Sequence, residues 1–233
     1  MRLLLMSNST QFGRAYLEHA EDAVREHLDG VERLLFVPFA LRDRDGYASK
    51  VRERFADWSI DVDSLHEAAD PVAAVKGAQA VFIGGGNSFR LLRALQDRGL
   101  LGVLRDRARD GMPYMGASAG SNMACPTIRT TNDMPIVEPA HFNALGLIPF
   151  QLNPHYLDPM PGSEHMGETR ETRITEFLEE NDMPVLGLRE GGWLARRGDE
   201  LRLAGTRPAR IFRPGATPTE VESPADLGEL LHA

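Results

Sequence analysis

The chain has 233 residues, 42% of them hydrophobic and 26% charged, and a formal net charge of -8. That length suits one large α/β domain or two small ones with a substantial core, and the apolar fraction excludes wholesale disorder. Mild acidity argues against nucleic acid or an anionic membrane as the main partner, so an acidic ligand would need a local cluster of arginines.

The opening apolar run is too short for a signal-peptide core and predicts a buried strand over Arg2–Met6. Tyr16, Ala20, Val24 and Leu28 then recur every four residues, the spacing of one helical face. Strand-like runs follow at Leu34–Phe39, Ile60–Leu65, Ala80–Ile83, Pro113–Gly116 and Val185–Leu188. Helical patterns lie between them at Tyr47–Trp58, Pro71–Lys76, Ser88–Gln96 and Gly102–Asp110, with Pro71 suited to a first helical position. Nearly continuous apolar strands alternating with one-faced helices predict a mostly parallel sheet covered on both sides.

From about Ala124 to Glu164 the chain is rich in Pro, Asn and His, longer than an ordinary connection and so expected to be functional. Helix returns over Gly167–Glu180. Trp193–Arg196 and Glu200–Leu203 flank Arg197-Gly198-Asp199 as a late hairpin. With no linker and no repeat, the expectation is a single domain over residues 1–233. The lone Cys125 excludes an intrachain disulfide, and no stretch approaches the roughly 18 apolar residues of a membrane span. A soluble, cytoplasmic protein is expected, as monomer or homodimer.

Gly116-Ala117-Ser118-Ala119-Gly120 matches G-x-S-x-G between a predicted strand and a predicted helix. A sharp turn there would expose the Ser118 hydroxyl, and the helix behind it would aim backbone N–H groups at a developing oxyanion. The plainer alternative is a small-residue turn that packs a helix close to the sheet. A second strand runs into Gly84-Gly85-Gly86-Asn87-Ser88 without a G-x-G-x-x-G pattern or a P-loop lysine. Amides of Gly85 or Gly86 could complete an oxyanion hole with Ala119, or Asn87 or Ser88 could simply cap the next helix.

A serine nucleophile needs a base and a carboxylate to orient it. His19 and His27 fall on the polar side of a helix, His66 has no supporting motif and His232 is in the tail. That leaves His141, His155 and His165, of which His155 stands out in Leu152-Asn153-Pro154-His155-Tyr156. Asp133 and Glu190 compete to orient it.

The segments GGGNSF (84–89), GASAGSNMACPTI (116–128), TTNDMPI (130–136), ALGLIPFQLNPHY (144–156) and GETRETRI (167–174) resemble the peptidase E, or alpha-aspartyl dipeptidase, family in order over roughly residues 1–205. The resemblance implies hydrolysis of dipeptides with N-terminal aspartate, without metal or organic cofactor, on a fold like the class I glutamine amidotransferases and flavodoxins. It implies a Ser118-His155-Glu190 triad and so favours the glutamate over Asp133. Arginine forks suit a substrate carboxylate, and Arg170, then Arg173, are the candidates. Asp133 would be left for the substrate ammonium, and Asn87 for a polar contact. Rival readings are a cyanophycinase-like or other serine hydrolase on the same elbow, or a non-catalytic small-molecule binding domain.

Overall fold

The computed structural model describes residues 1–159 and 167–232. The apolar runs become strands whose C-terminal ends gather at one edge of a sheet. Strands β1 (Arg2–Met6), β2 (Arg33–Val37), β3 (Asp61–Ser64), β4 (Ala80–Ile83) and β5 (Tyr114–Ala117) pair in parallel, in the spatial order β1-β5-β4-β2-β3. Beyond β1 the sheet continues antiparallel through β8 (Gly192–Arg197), β9 (Glu200–Gly205) and β12 (Ala225–Asp226). The β8–β9 hairpin turns at Gly198, whose φ of 60° a residue with a side chain rarely adopts.

Alternate side chains of β1 go to opposite faces, as strand geometry requires. Leu4 and Met6 join the apolar cluster formed with α1 (Glu21–His27) and α2 (Arg44–Ala56). Leu3 and Leu5 join the cluster formed with α3 (Pro71–Gly77), α4 (Ser88–Asp97), α5 (Leu100–Arg109) and α6 (Ala119–Ala124). Helices therefore cover both faces, as the sequence pattern predicts. Side chains and Pro residues define the starts: Asp43 caps α2 by accepting from Gly46 N–H, and Asp70 caps α3 with Pro71 in its first turn.

The segment after α6 holds a feature the periodicity missed. Strand β6 (Gln151–Pro154) pairs in parallel with β7 (Val185–Leu188), and β10 (Ala209–Phe212) and β11 (Thr219–Val221) complete a second sheet in the order β11-β10-β7-β6. Helix α7 (Arg170–Glu180) packs outside that sheet through Ile174, which meets Tyr156, Val185 and Phe212. The inner side chains Leu152, Leu186, Leu188 and Ile211 belong to the same cluster as Leu3 and Leu5, so one core runs from sheet to sheet.

Two local expectations change. The first helix is shorter than its apolar spacing indicates, because Leu17 is buried with φ 59° and a separate 3-10 turn, Glu18–Ala20, precedes α1. Tyr16 is still buried, but ahead of the helix. His27 is not on a polar face: only 5% of it is exposed, against β1. Among the described residues, no helix is long and apolar enough to cross a membrane.

Candidate active site

Ser118 follows β5 directly and stands at the N-cap of α6 with φ 51° and ψ -109°. A non-glycine residue rarely adopts that backbone, and it is held there by close packing on both sides. A Cβ on Gly116 would lie 2.5 Å from the Gly120 carbonyl oxygen, and one on Gly120 would run into the Ile83 carbonyl of β4. The two glycines of the motif let the turn press against its neighbours. Ser118 N–H bonds the carbonyl of Met6 at 3.0 Å, and the Ser121 hydroxyl reaches Met6 O and Gly116 O at 2.7 and 3.0 Å, which ties the turn to β1.

The candidate base, His155, comes from the second sheet. The parallel register that pairs Pro154 with Leu188 places His155 and Glu190 just beyond neighbouring strand ends. His155 Nε2 lies 3.0 Å from Ser118 Oγ, and Nδ1 lies 2.6 Å from Glu190 Oε1. Both distances are in the hydrogen-bond range, so hydroxyl, imidazole and carboxylate form a continuous relay. Asp133 is not part of that relay. Its Oδ2 accepts from Ser88 N–H at 2.7 Å and from the Thr131 hydroxyl at 3.0 Å, at the start of α4.

His155, like Ser118, has a positive φ, 54°. Its N–H donates to Ser7 Oγ at 2.9 Å, and Ser7 donates in turn to Leu188 O at 2.8 Å. Next to it, Asn8 Oδ1 accepts from Gly191 N–H at 2.8 Å and so fixes the turn that carries Glu190. Asn132 Nδ2 holds Pro154 O at 2.8 Å, while Asn153 Nδ2 donates to Thr130 O and Asn132 Oδ1, each at 2.8 Å. Sequence reasoning passed over Ser7, Asn8, Asn132 and Asn153. Ser7 and Asn8 are marked only by following the buried strand β1, where a polar residue must find a partner, and no local pattern marks Asn132 or Asn153.

The glycine loop packs on the elbow: a Cβ on Gly85 would be 3.3 Å from the Cβ of Ser118. The Gly85 amide faces the Tyr47 hydroxyl, whose pKa is raised by burial and held back by the Tyr16 hydroxyl and this amide. Among the described residues, the N–H groups of Gly86 and Ala119 have no backbone or side-chain acceptor. Gly86 has φ 134°, and a Cβ there would meet the Ala40 carbonyl at 2.7 Å, so only glycine fits. A pocket of about 510 Å3 opens beside them, lined by Gly85, Gly86, Ser118 and His155 among others.

Asn87 does not present its amide to this pocket. Its Oδ1 caps α4 through Arg90 N–H at 3.0 Å, and its Nδ2 donates to Met134 O at 2.8 Å. The sequence-based expectation of a substrate contact thus meets a residue already occupied as a cap. Arg173 pairs with Glu168 at 3.3 Å. Arg170, partly buried at the start of α7, has its pKa lowered by burial and by Arg173, with Asp133 opposing the shift. Among the described residues, no carboxylate comes within ion-pair distance of its guanidinium. His141 bonds Gln96 away from the relay, and His165 lies outside the described residues.

A model of peptidase family S51 matches residues 3–204. The chain belongs to peptidase family S51. The match spans Ser118, His155 and Glu190, and membership makes this a serine-type peptidase. It is 62% identical to a peptidase E of Streptomyces coelicolor, over 99% of this chain and 95% of that one. It is 46% identical to a Drosophila melanogaster protein named probable alpha-aspartyl dipeptidase, over 98% of this chain and 97% of the other. The crystal structure of a peptidase from an acI-B1 actinobacterium shares the fold, with a TM-score of 0.68 at 17% identity, covering 97% of this chain and 96% of that one. Within S51, then, the α/β fold and the peptidase class expected from the sequence both stand.

Proposed function

We propose that this S51 peptidase hydrolyses dipeptides with an N-terminal aspartate through a Ser118-His155-Glu190 triad. The observation that carries the reading is the unbroken relay from Ser118 Oγ through both nitrogens of His155 to Glu190. Ser118 attacks the scissile carbonyl as His155 takes its proton, and the imidazolium returns that proton to the leaving amine. Glu190 holds Nδ1–H and stabilises the imidazolium. The N–H groups of Gly86 and Ala119 receive the oxyanion, each worth about 3 kcal/mol in the transition state. Water, activated by the same histidine, then releases the acyl group.

Aspartate specificity is supported by Arg170. A partly desolvated guanidinium crowded by Arg173 gains most from a carboxylate, and a bidentate fork distinguishes Asp from Asn because the neutral amide leaves the cation unmatched. Arg173, paired with Glu168, is the second cation of that site. Asp133 retains Oδ1 for the substrate ammonium while Oδ2 stays with Ser88 and Thr131. The small acidic dipeptide is thereby the only partner the reading requires, and a cytoplasmic setting, where peptides are reduced to such fragments, belongs to the same proposal.

A kinetic panel of Asp-Leu, Glu-Leu and Asn-Leu tests it. We expect Asp-Leu to lead, and Arg170→Ala to lower kcat/KM for Asp-Leu by about a hundredfold, the scale of a lost charge-assisted pair, while barely moving Asn-Leu. Equal loss on the two substrates would remove Arg170 from side-chain recognition.

A further inference from the structure

The pocket beside Ser118 has a far wall that the triad does not explain. Tyr16 and Tyr47 line it, their hydroxyl oxygens 3.5 Å apart, together with Leu41 and Lys50. Lys50 lies one turn after Tyr47 on α2, and its Nζ stands 4.6 Å from the centroid of the Tyr16 ring. Among the described residues, no carboxylate lies within ion-pair distance of that ammonium, so the ring orients the cation without neutralising it. Asp43 also lines the pocket, but its carboxylate is turned to the start of α2, where it accepts from Gly46 N–H at 2.9 Å.

Arg170 and Arg173 do not line this pocket. The cations proposed for the aspartyl side chain are therefore separate from the cation next to the glycine loop. A peptide bond attacked by Ser118 has its acyl residue on one side and its leaving residue on the other. In a dipeptide the leaving residue carries a free carboxylate one residue's length from the scissile carbon. A mainly apolar wall bearing one unneutralised ammonium is complementary to an apolar side chain with that carboxylate.

We propose that Lys50 binds the C-terminal carboxylate of the leaving residue and so selects dipeptides over longer or C-terminally blocked peptides. The assignment deepens the dipeptidase reading and rests on it. Lys50 acts as a binding group for the ground state and transition state alike, so its contribution falls mainly on KM.

The test compares Asp-Leu with Asp-Leu amide, which differ only in the carboxylate, on wild type, Lys50→Met and Lys50→Arg. The quantity read is the ratio of kcat/KM for acid over amide. Lys50→Met should lower that ratio about tenfold, the lower range for a charge-assisted bond at a solvated site, and Lys50→Arg should restore most of it. Because each variant is its own control, a general loss of fold cancels from the ratio. A Lys50→Met ratio within threefold of wild type overturns the assignment, and any larger fall supports it. If wild type turns over neither substrate, the dipeptidase reading fails and takes Lys50 with it. If wild type cleaves Asp-Leu but the ratio stays put, only Lys50 fails.

Discussion

At the scale of single residues, two of the four non-glycine positions with positive φ among the described residues are Ser118 and His155, the proposed nucleophile and base. Such backbone costs roughly 1–3 kcal/mol at each position and persists only where the surroundings enforce it. At Ser118 the enforcing groups are Met6 O, Gly116 and Gly120; at His155 they are Ser7 and the carbonyl of Pro154 held by Asn132. Ser118→Ala keeps the strain and removes the hydroxyl, so turnover of Asp-Leu should fall by at least roughly a thousandfold with melting temperature near wild type. Ser118→Gly should lose as much activity yet be more stable than Ser118→Ala. Relief of strain exceeds the roughly 0.5–1 kcal/mol that glycine loses through chain entropy, leaving a net gain of about 1 kcal/mol. Thermal unfolding of the two variants side by side decides the matter, and a less stable glycine variant would mean the turn stores no strain.

At the scale of elements, the elbow works because α6 is pressed into the gap between β4 and β5. Gly120→Ala places a methyl against the Ile83 carbonyl, a backbone atom that cannot swing aside. The helix must shift, and overpacking of this kind costs about 1–3 kcal/mol. The shift moves the Ala119 N–H with it, so kcat should drop more than tenfold while KM changes little; unaltered kcat would show that the oxyanion donor does not depend on this contact. The elbow was legible in the sequence because its small residues are local, and the strands β1, β4 and β7 have their expected bounds because they are buried, continuous apolar runs. β6 was not, since Gln151-Leu152-Asn153-Pro154 is only four residues long, ends in proline and buries polar side chains in bonds to Thr127, Thr130 and Asn132. Those bonds come from a loop over twenty positions away, which no local pattern reveals. For the same reason local pattern marks His155 as prominent but leaves Glu190 and Asp133 tied; the family resemblance favours the glutamate, and the register of β6 on β7 sets it beside the imidazole. At Asn87 the sequence offers two compatible roles, and the side chain's hydrogen bonds show the cap.

At the scale of the whole molecule, pH reaches the fold through a residue remote from the relay. Burial pushes the His27 pKa down to about 3, helped by the nearby cations Arg2 and Arg197 and opposed by the Tyr114 backbone. His27 Nε2 is buried without a partner, so nothing inside compensates a second proton. An unfolded chain restores the ordinary value near 6.5, so between about 6.5 and 3 the unfolded state binds a proton that the folded state refuses. Stability therefore rises with pH across that window and is lost on acidification, by up to about 3 kcal/mol between pH 7 and 4.5 from this histidine alone. Glu21, Glu67 and Asp158, whose pKa values are lowered by hydrogen bonds to Trp58 and arginines, add to the loss at the acid end. His27→Gln keeps a polar side chain of similar reach but cannot titrate, and it leaves those carboxylates in place. Urea unfolding at pH 7 and pH 4.5 should show a smaller acid penalty for the variant, with the difference between the two proteins appearing mainly below pH 6.5. Parallel curves for the two proteins would mean that His27 is protonated in the fold, and acid sensitivity would then belong to the carboxylates.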